Sequence, residues 1–162
     1  MRETDTHIYF WDGFLSNFYI CELKENGIVY NSSECYFMAK KAETFKDFDS
    51  LDKILLAKTP YKQKSLGKKI KAFDEKIWEE VRFQIMVDGL ALKFGQNQDL
   101  KKMLLDTSCK VLVEGSPYDK IWGVGIHYLD DSILDENNWN GLNLLGKALM
   151  IVRESIKFKD LK

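Results

Sequence analysis

The chain has 162 residues and a mass of 18.9 kDa, enough for one ordinary domain with its own core and no disulfide or metal staple. Its 24 basic and 25 acidic side chains leave a formal charge of -1, which excludes a polycation holding nucleic acid by bulk charge alone. With 45% hydrophobic and 30% charged residues, and only 10 Gly and 2 Pro, it is neither disordered nor linker-rich.

The first thirty residues predict β structure. His7–Trp11 alternates weakly, and Tyr19–Lys24 and Ile28–Tyr30 flank Glu25-Asn26-Gly27, whose Asn-Gly pair marks a hairpin turn. Asn31, Ser32 and Ser33 are N-cap candidates for a helix over Glu34–Phe45. Thr59-Pro60 predicts a cap followed by proline at the first helical position, with Gly67 near that helix's end. Asp74 opens the longest helix, in which Ile77, Trp78, Val81, Ile85 and Leu92 share a face and Gly95 marks the stop. A short helix at Gln98–Asp106 carries Leu100, Met103 and Leu104. Strands follow at Val111–Glu114 and Ile121–Gly125, then a final helix over Leu142–Ile156. No repeat or composition break divides the chain. The reading is an α+β fold: one compact, mostly helical domain over residues 1–162 with a small sheet and hairpin.

Cys21, Cys35 and Cys109 are scattered and odd in number, so a disulfide framework is not expected, and His7 and His127 complete no zinc spacing. MRETDTHIYF has no apolar signal-peptide core, and no apolar run is long enough to span a membrane. The expectation is a cytoplasmic protein with reduced thiols. Charge is uneven, however. Residues 53–76 hold eight lysines against Asp74 and Glu75, whereas residues 106–140 hold seven acidic side chains against Lys110 and Lys120. Two solvated faces explain this, and so does a lysine-rich rim that attracts a phosphorylated or nucleic-acid-linked substrate.

Four segments carry possible chemistry. In Phe14-Leu15-Ser16-Asn17-Phe18-Tyr19, the polar pair Ser16 and Asn17 can bond phosphate or ribose oxygens while Phe18 stacks on a base; a self-bonded turn is the alternative. In Ser33-Glu34-Cys35-Tyr36-Phe37-Met38-Ala39-Lys40-Lys41, Glu34 and Lys41 fall about 20° apart around a helix, with Met38 between them. That is an acid/base or nucleophile pair if the face lines a cleft, and a capping box from Asn31 to Glu34 plus an ordinary surface lysine otherwise. A nucleophilic lysine also needs a lowered pKa, from burial or from a cation such as Lys40. The loop Glu114–Gly125 sets Asp119 three residues before Trp122, with Gly123 and Gly125 able to admit a ligand to the backbone; a tight turn beside a core tryptophan is the competing reading. Asn143 stands near a helix start, where it can bind an anion or simply cap.

Together these segments resemble the NADAR, or YbiA-like, family. The matching stretches are FLSNFY, NSSECYFMAKKA, AKTPYKQKSLGKKIKAFDEKIW, ALKFGQNQDLKKMLLDT, VLVEGSPYDKIWGVG and WNGLNLLGKALMIVRE, in that order over roughly residues 10–155. The resemblance implies a compact, mainly helical α+β domain and an N-glycosidase that cleaves a bond between a ribose anomeric carbon and a nitrogen. It implies one of two substrates: guanine bases of nucleic acid carrying ADP-ribose, or the early phosphoribosyl intermediates of riboflavin biosynthesis, with the SPYDKIWGVG form favouring the first. By the same resemblance Lys41 is a Schiff-base nucleophile, Glu34 and Asp119 are the carboxylates, and Ser16, Asn17, Trp122 and Asn143 fall on pocket positions; Phe18 and Gly123, read from their own segments, complete the substrate lining. No metal or cofactor is implied, and no membrane partner. The partner is the ADP-ribosyl or phosphoribosyl substrate itself, free or attached to nucleic acid, and a monomer suffices. Cys35 departs from the family, which usually has Gln or His there. A non-catalytic ADP-ribose or NAD-binding module is a third reading, against which the intact Glu34/Lys41 pair argues.

Overall fold

A computed structural model describes residues 1–160. In chain order the strands and helices are β1 (Arg2–Glu3), β2 (His7–Phe10), β3 (Leu23–Glu25), β4 (Ile28–Tyr30), α1 (Ser33–Thr44), α2 (Phe48–Leu56), α3 (Pro60–Gly67), α4 (Glu75–Gln96), α5 (Gln98–Asp106), β5 (Val111–Glu114) and α6 (Leu144–Asp160). Two short 3-10 turns, Asp131–Leu134 and Glu136–Asn138, precede α6. The α+β class follows directly. Backbone contacts divide the chain into two compact units, residues 17–97 and residues 1–16 with 98–162.

In the 17–97 unit, β3 and β4 pair antiparallel across Asn26 and Gly27, both at positive φ (50° and 81°), the backbone a tight primed turn demands. Helix α1 packs against α2, α3 and α4, and its Tyr36, Phe37, Ala39 and Ala42 are buried. Gly89 in α4 is required by this packing: a Cβ there would stand 2.7 Å from Cδ1 of Tyr36. Thr59 and Asp74 cap α3 and α4 through their side chains, as their residue types predict.

The structure corrects several expectations here. Helix α1 takes Ser32, one of the three candidates, as its cap and runs Ser33–Thr44, one residue earlier at each end than the sequence suggests. Helix α2, capped by Asp47, had no sequence prediction, although Phe48, Leu51, Ile54 and Leu55 recur at helical spacing; Ile54 is its one buried residue. On α4 only Trp78 of the five predicted core residues is fully buried, and Ile77 is half-exposed. The buried stripe is Trp78, Arg82, Met86, Gly89, Leu90, Lys93 and Phe94, because two long basic side chains bury their stems where an apolar pattern was sought. Gly95 does not stop α4, which continues to Gln96.

In the other unit, β1, β2 and β5 form a three-stranded sheet, β1–β2 antiparallel and β2–β5 parallel, with His7 opposite Val111 and Phe10 opposite Glu114. Tyr9, Val113, Val124 and Ile133 form its buried core, joined by Tyr128 and Trp139, and α6 packs on β5. Each such apolar side chain contributes about 1.5–3 kcal/mol on burial. Residues 121–125 are irregular rather than a strand, and α6 begins at Leu144. Arg153 of α6 is buried and donates to Oγ1 of Thr107 (2.8 Å) and the carbonyl of Lys110 (2.9 Å), tying the turn before β5. Among the described residues no helix is long and apolar enough to cross a membrane.

Candidate active site

Helix α1 carries Glu34 and Lys41, two candidate side chains of the 17–97 unit. Ser32 is extended (φ −170°), and its hydroxyl accepts the N–H of Cys35. Asn31 instead turns toward α3: its amide donates to the carbonyl of Lys58 and accepts from Gln63. Glu34 is therefore the second helical residue, one short of the position a capping box requires. Its backbone N–H donates to the carbonyl of Asn17 (3.1 Å), and the residue is 5% exposed.

Asn17 is the anchor beside it. Its Oδ1 accepts from Oγ of Ser33 (3.1 Å) and its Nδ2 donates to Sδ of Met86 (3.2 Å), so the chain at 17–18 is held on the first turn of α1 and on α4. Phe18 follows, with Tyr61 edge-on at 4.8 Å and the ammonium of Lys64 5.5 Å from its ring centre.

Two turns along α1, Lys41 is half-buried. Its Nζ lies 4.1 Å from the ring centre of Phe73 and 5.5 Å from that of Trp78. Burial pushes its pKa below the ordinary lysine value, against the opposing charges of Glu75 and Glu34. A lysine so placed yields its neutral, nucleophilic amine more readily than a solvated one. Lys40 is different. It is bound by Glu25 (2.8 Å) and Glu43 (3.0 Å); although burial acts the other way, these two bonds leave its pKa raised. The cationic neighbour considered as a cause for Lys41 is thus matched by two carboxylates, and desolvation is the operative cause.

Met38, between Glu34 and Lys41, is buried against Gly67, where a Cβ would overlap its sulfur. Cys35 is 1% exposed and burial raises its pKa to about 11, so it is a packing thiol. Phe73 and Trp78 were not read from the sequence as site residues. Their signal was present: they flank the Asp74 cap at the two positions of a hydrophobic staple.

The remaining candidates lie in the other unit. Ser16 is buried there, its N–H donating to the carbonyl of Gly13. Oδ1 of Asp119 accepts the N–H groups of Ile121 (3.0 Å) and Trp122 (2.8 Å), which shapes the loop. Gly123 admits chain rather than ligand, since a Cβ there would stand 2.8 Å from the carbonyl of Glu114 and 2.9 Å from that of Asp119. Trp122 is half-buried, and its carbonyl accepts the N–H of Leu145. Asn143 is buried at φ 51°; its Oδ1 accepts from the N–H of Glu114 (3.0 Å) and its Nδ2 donates to the carbonyl of Leu112 (2.9 Å). Its amide bridges β5 to the start of α6, a structural use beside the anion-binding and capping readings the sequence left open. The structure therefore gathers Asn17, Phe18, Glu34 and Lys41 around α1, and Asp119, Trp122, Gly123 and Asn143 around the loop that follows β5.

Residues 9–157 match the model of the NADAR domain, a stretch that runs through both units. An N-glycosidase of Acanthamoeba polyphaga mimivirus is 40% identical over 165 aligned positions, covering 94% of this chain and 97% of the relative. A riboflavin biosynthesis protein of Vibrio vulnificus is 32% identical over 93% of this chain, which spans 38% of that longer protein. The NMR structure of the E. coli protein YbiA superposes with a TM-score of 0.81 at 31% identity, over 99% of this chain and 90% of that one.

Proposed function

The chain belongs to the NADAR family and is an N-glycosidase; from that premise we propose that it removes ADP-ribose from guanine bases of nucleic acid through a covalent intermediate on Lys41. The observation that carries the reading is the seat of Lys41: half-buried, against Phe73 and Trp78, with a pKa lowered by desolvation and on one helical stripe with buried Glu34.

In the proposed step the Nζ lone pair attacks the anomeric carbon of the ribose as the bond from that carbon to the guanine nitrogen breaks. Glu34 receives the proton that Nζ sheds and delivers it to the departing nitrogen. The ribose ring opens, its ring oxygen taking a proton from solvent to leave as a hydroxyl, and the anomeric carbon becomes an iminium carbon on Lys41. Water adds there and returns that proton to solvent, the lysine departs as the neutral amine, and ADP-ribose closes to its hemiacetal. One water is consumed. Glu34 is preferred over Asp119 for the proton because it shares a helical stripe with Lys41, whereas Oδ1 of Asp119 shapes its own loop through two backbone N–H groups. A cytoplasmic setting fits the three unbridged thiols.

Hydrolysis of an early riboflavin intermediate is the second reading, favoured by the similarity to the Vibrio vulnificus riboflavin biosynthesis protein. A side-by-side measurement of kcat/KM on an ADP-ribosylated guanine oligonucleotide and on 5-amino-6-(5-phosphoribosylamino)uracil decides between them. Preference for the oligonucleotide, with a borohydride-trapped adduct at Lys41, is expected. A preference for the uracil compound reverses the assignment of substrate, and tight ADP-ribose binding with no turnover on either defeats both.

A further inference from the structure

The eight lysines of residues 53–76 belong to the 17–97 unit, and all but Lys64 are exposed. Among the described residues the one ion pair they form is Lys71 to Asp49, at 3.5 Å. The rest of this charge is unmatched by carboxylates, in a protein whose formal charge is -1, so the attraction it exerts on an anion is local.

Helix α3 orders part of it. Pro60, Gln63 and Gly67 are buried on one side, whereas Tyr61, Lys62 and Lys68 are exposed on the other. At about 100° per residue, Tyr61 and Lys68 lie within about 20° of each other. Tyr61 is 78% exposed, an unusual setting for a ring that is also held in place. The hold is Phe18, which it meets edge-on at 4.8 Å and over which Lys64 also sits. Phe18 follows Asn17, whose carbonyl accepts the N–H of Glu34. A rigid aromatic row with ammonium groups beside it thus starts at the candidate site and ends in solvent.

We infer that the outer face of α3 is a docking platform for single-stranded nucleic acid, with Tyr61 stacking a base that flanks the modified guanine and Lys62, Lys64 and Lys68 meeting the phosphates. The inference rests on the guanine reading for its substrate and on the α3 surface for its geometry. Single strands are held by this combination of stacking rings and backbone-tracking charge. An acidic protein partner would use the lysines but gives no reason for a ring fixed in solvent.

The test uses the full chain, the variant Tyr61→Ala and the double variant Lys62→Gln/Lys68→Gln. Binding of a labelled, unmodified oligothymidylate is followed by anisotropy across a salt series, and turnover is measured on ADP-ribosylated oligonucleotide and on ADP-ribosylated guanosine. Tyr61→Ala should weaken oligothymidylate binding about tenfold. The double variant should flatten the slope of log affinity against log salt by about 1.4. Both should lower kcat/KM on the oligonucleotide and leave turnover of the free nucleoside unchanged, which also shows that the fold is intact. Wild-type oligothymidylate binding in all variants overturns the platform, as does a loss confined to the lysine variant with Tyr61→Ala unchanged, which is charge attraction without stacking. Tyr61-dependent strand binding without any guanine-directed turnover supports the platform and defeats only the substrate reading. Turnover on the oligonucleotide that neither variant alters does the reverse.

Discussion

Exchanging alanine for Lys40 and for Lys41 in turn should give opposite phenotypes, although the residues are adjacent and chemically identical. Lys40 makes ion pairs at 2.8 and 3.0 Å to carboxylates whose side chains are 28% and 33% exposed, and it lies 5.3 Å from the ring centre of Tyr36. Pairs this sheltered stand above the worth of a solvated one, so Lys40→Ala should cost about 1–2 kcal/mol of stability. In a domain of this size that lowers Tm by about 2–8 °C. Turnover should barely change, because Lys40 projects about 100° away from the Glu34–Lys41 stripe. Lys41 has aromatic neighbours rather than a bonded carboxylate, so its removal exchanges a cation–π contact for relief of desolvation, a net change within about 1 kcal/mol. Loss of the nucleophile should nevertheless reduce kcat by about a thousandfold, or about 4 kcal/mol of barrier. Lys41→Arg retains charge and length but cannot form an imine, so it should be as inactive as Lys41→Ala. The assays are thermal denaturation, steady-state turnover, and borohydride trapping read by peptide mass spectrometry. Near-normal kcat in Lys41→Arg would refute the covalent mechanism, and a thousandfold loss in Lys40→Ala would refute the assignment between the two lysines.

Three further outcomes follow from the same geometry. Lys41 has a lowered pKa that the negative charge of Glu75 partly restores, so Glu75→Gln should lower it again and move the rising limb of the trapping rate to lower pH; an upward shift contradicts this electrostatic account. Lys93 is fully buried with its pKa lowered to about 8 from 10.5. Between those values the unfolded chain binds more protons than the folded one, so stability rises with pH by about 3 kcal/mol through this group; denaturant titrations at pH 7.5 and 10.5 should lose that increment in Lys93→Met, and equal slopes in both proteins would count against it. Asn143→Ala removes two bonds to β5 and places a β-carbon at φ 51°, so it should destabilise by about 2–4 kcal/mol in urea unfolding, and a change under 1 kcal/mol would return Asn143 to a ligand-binding role.

The amino-acid sequence by itself determined the elements whose signals are local. Asn26-Gly27 specifies its turn because few residues tolerate two successive positive φ values. Thr59-Pro60 and Asp74 open their helices because a side-chain oxygen meets the N–H groups that the first turn leaves unpaired. The Glu34–Lys41 stripe is helical arithmetic, and the order of the motifs is by itself the mark of the family. Signals that depend on distant partners were invisible. The parallel pairing of His7 with Val111 joins strands that share no local pattern. The buried stripe of α4 passes through Arg82 and Lys93, whose long side chains suit a buried face only when their surroundings receive them. The tertiary structure also decided which lysine is ion-paired and which is desolvated. Carboxylates from β3 and from α1 itself hold Lys40 charged, while α4 and the segment before it bring Trp78 and Phe73 against Lys41. A pKa is set by what surrounds a group in space, and two neighbours in sequence can face environments that share nothing.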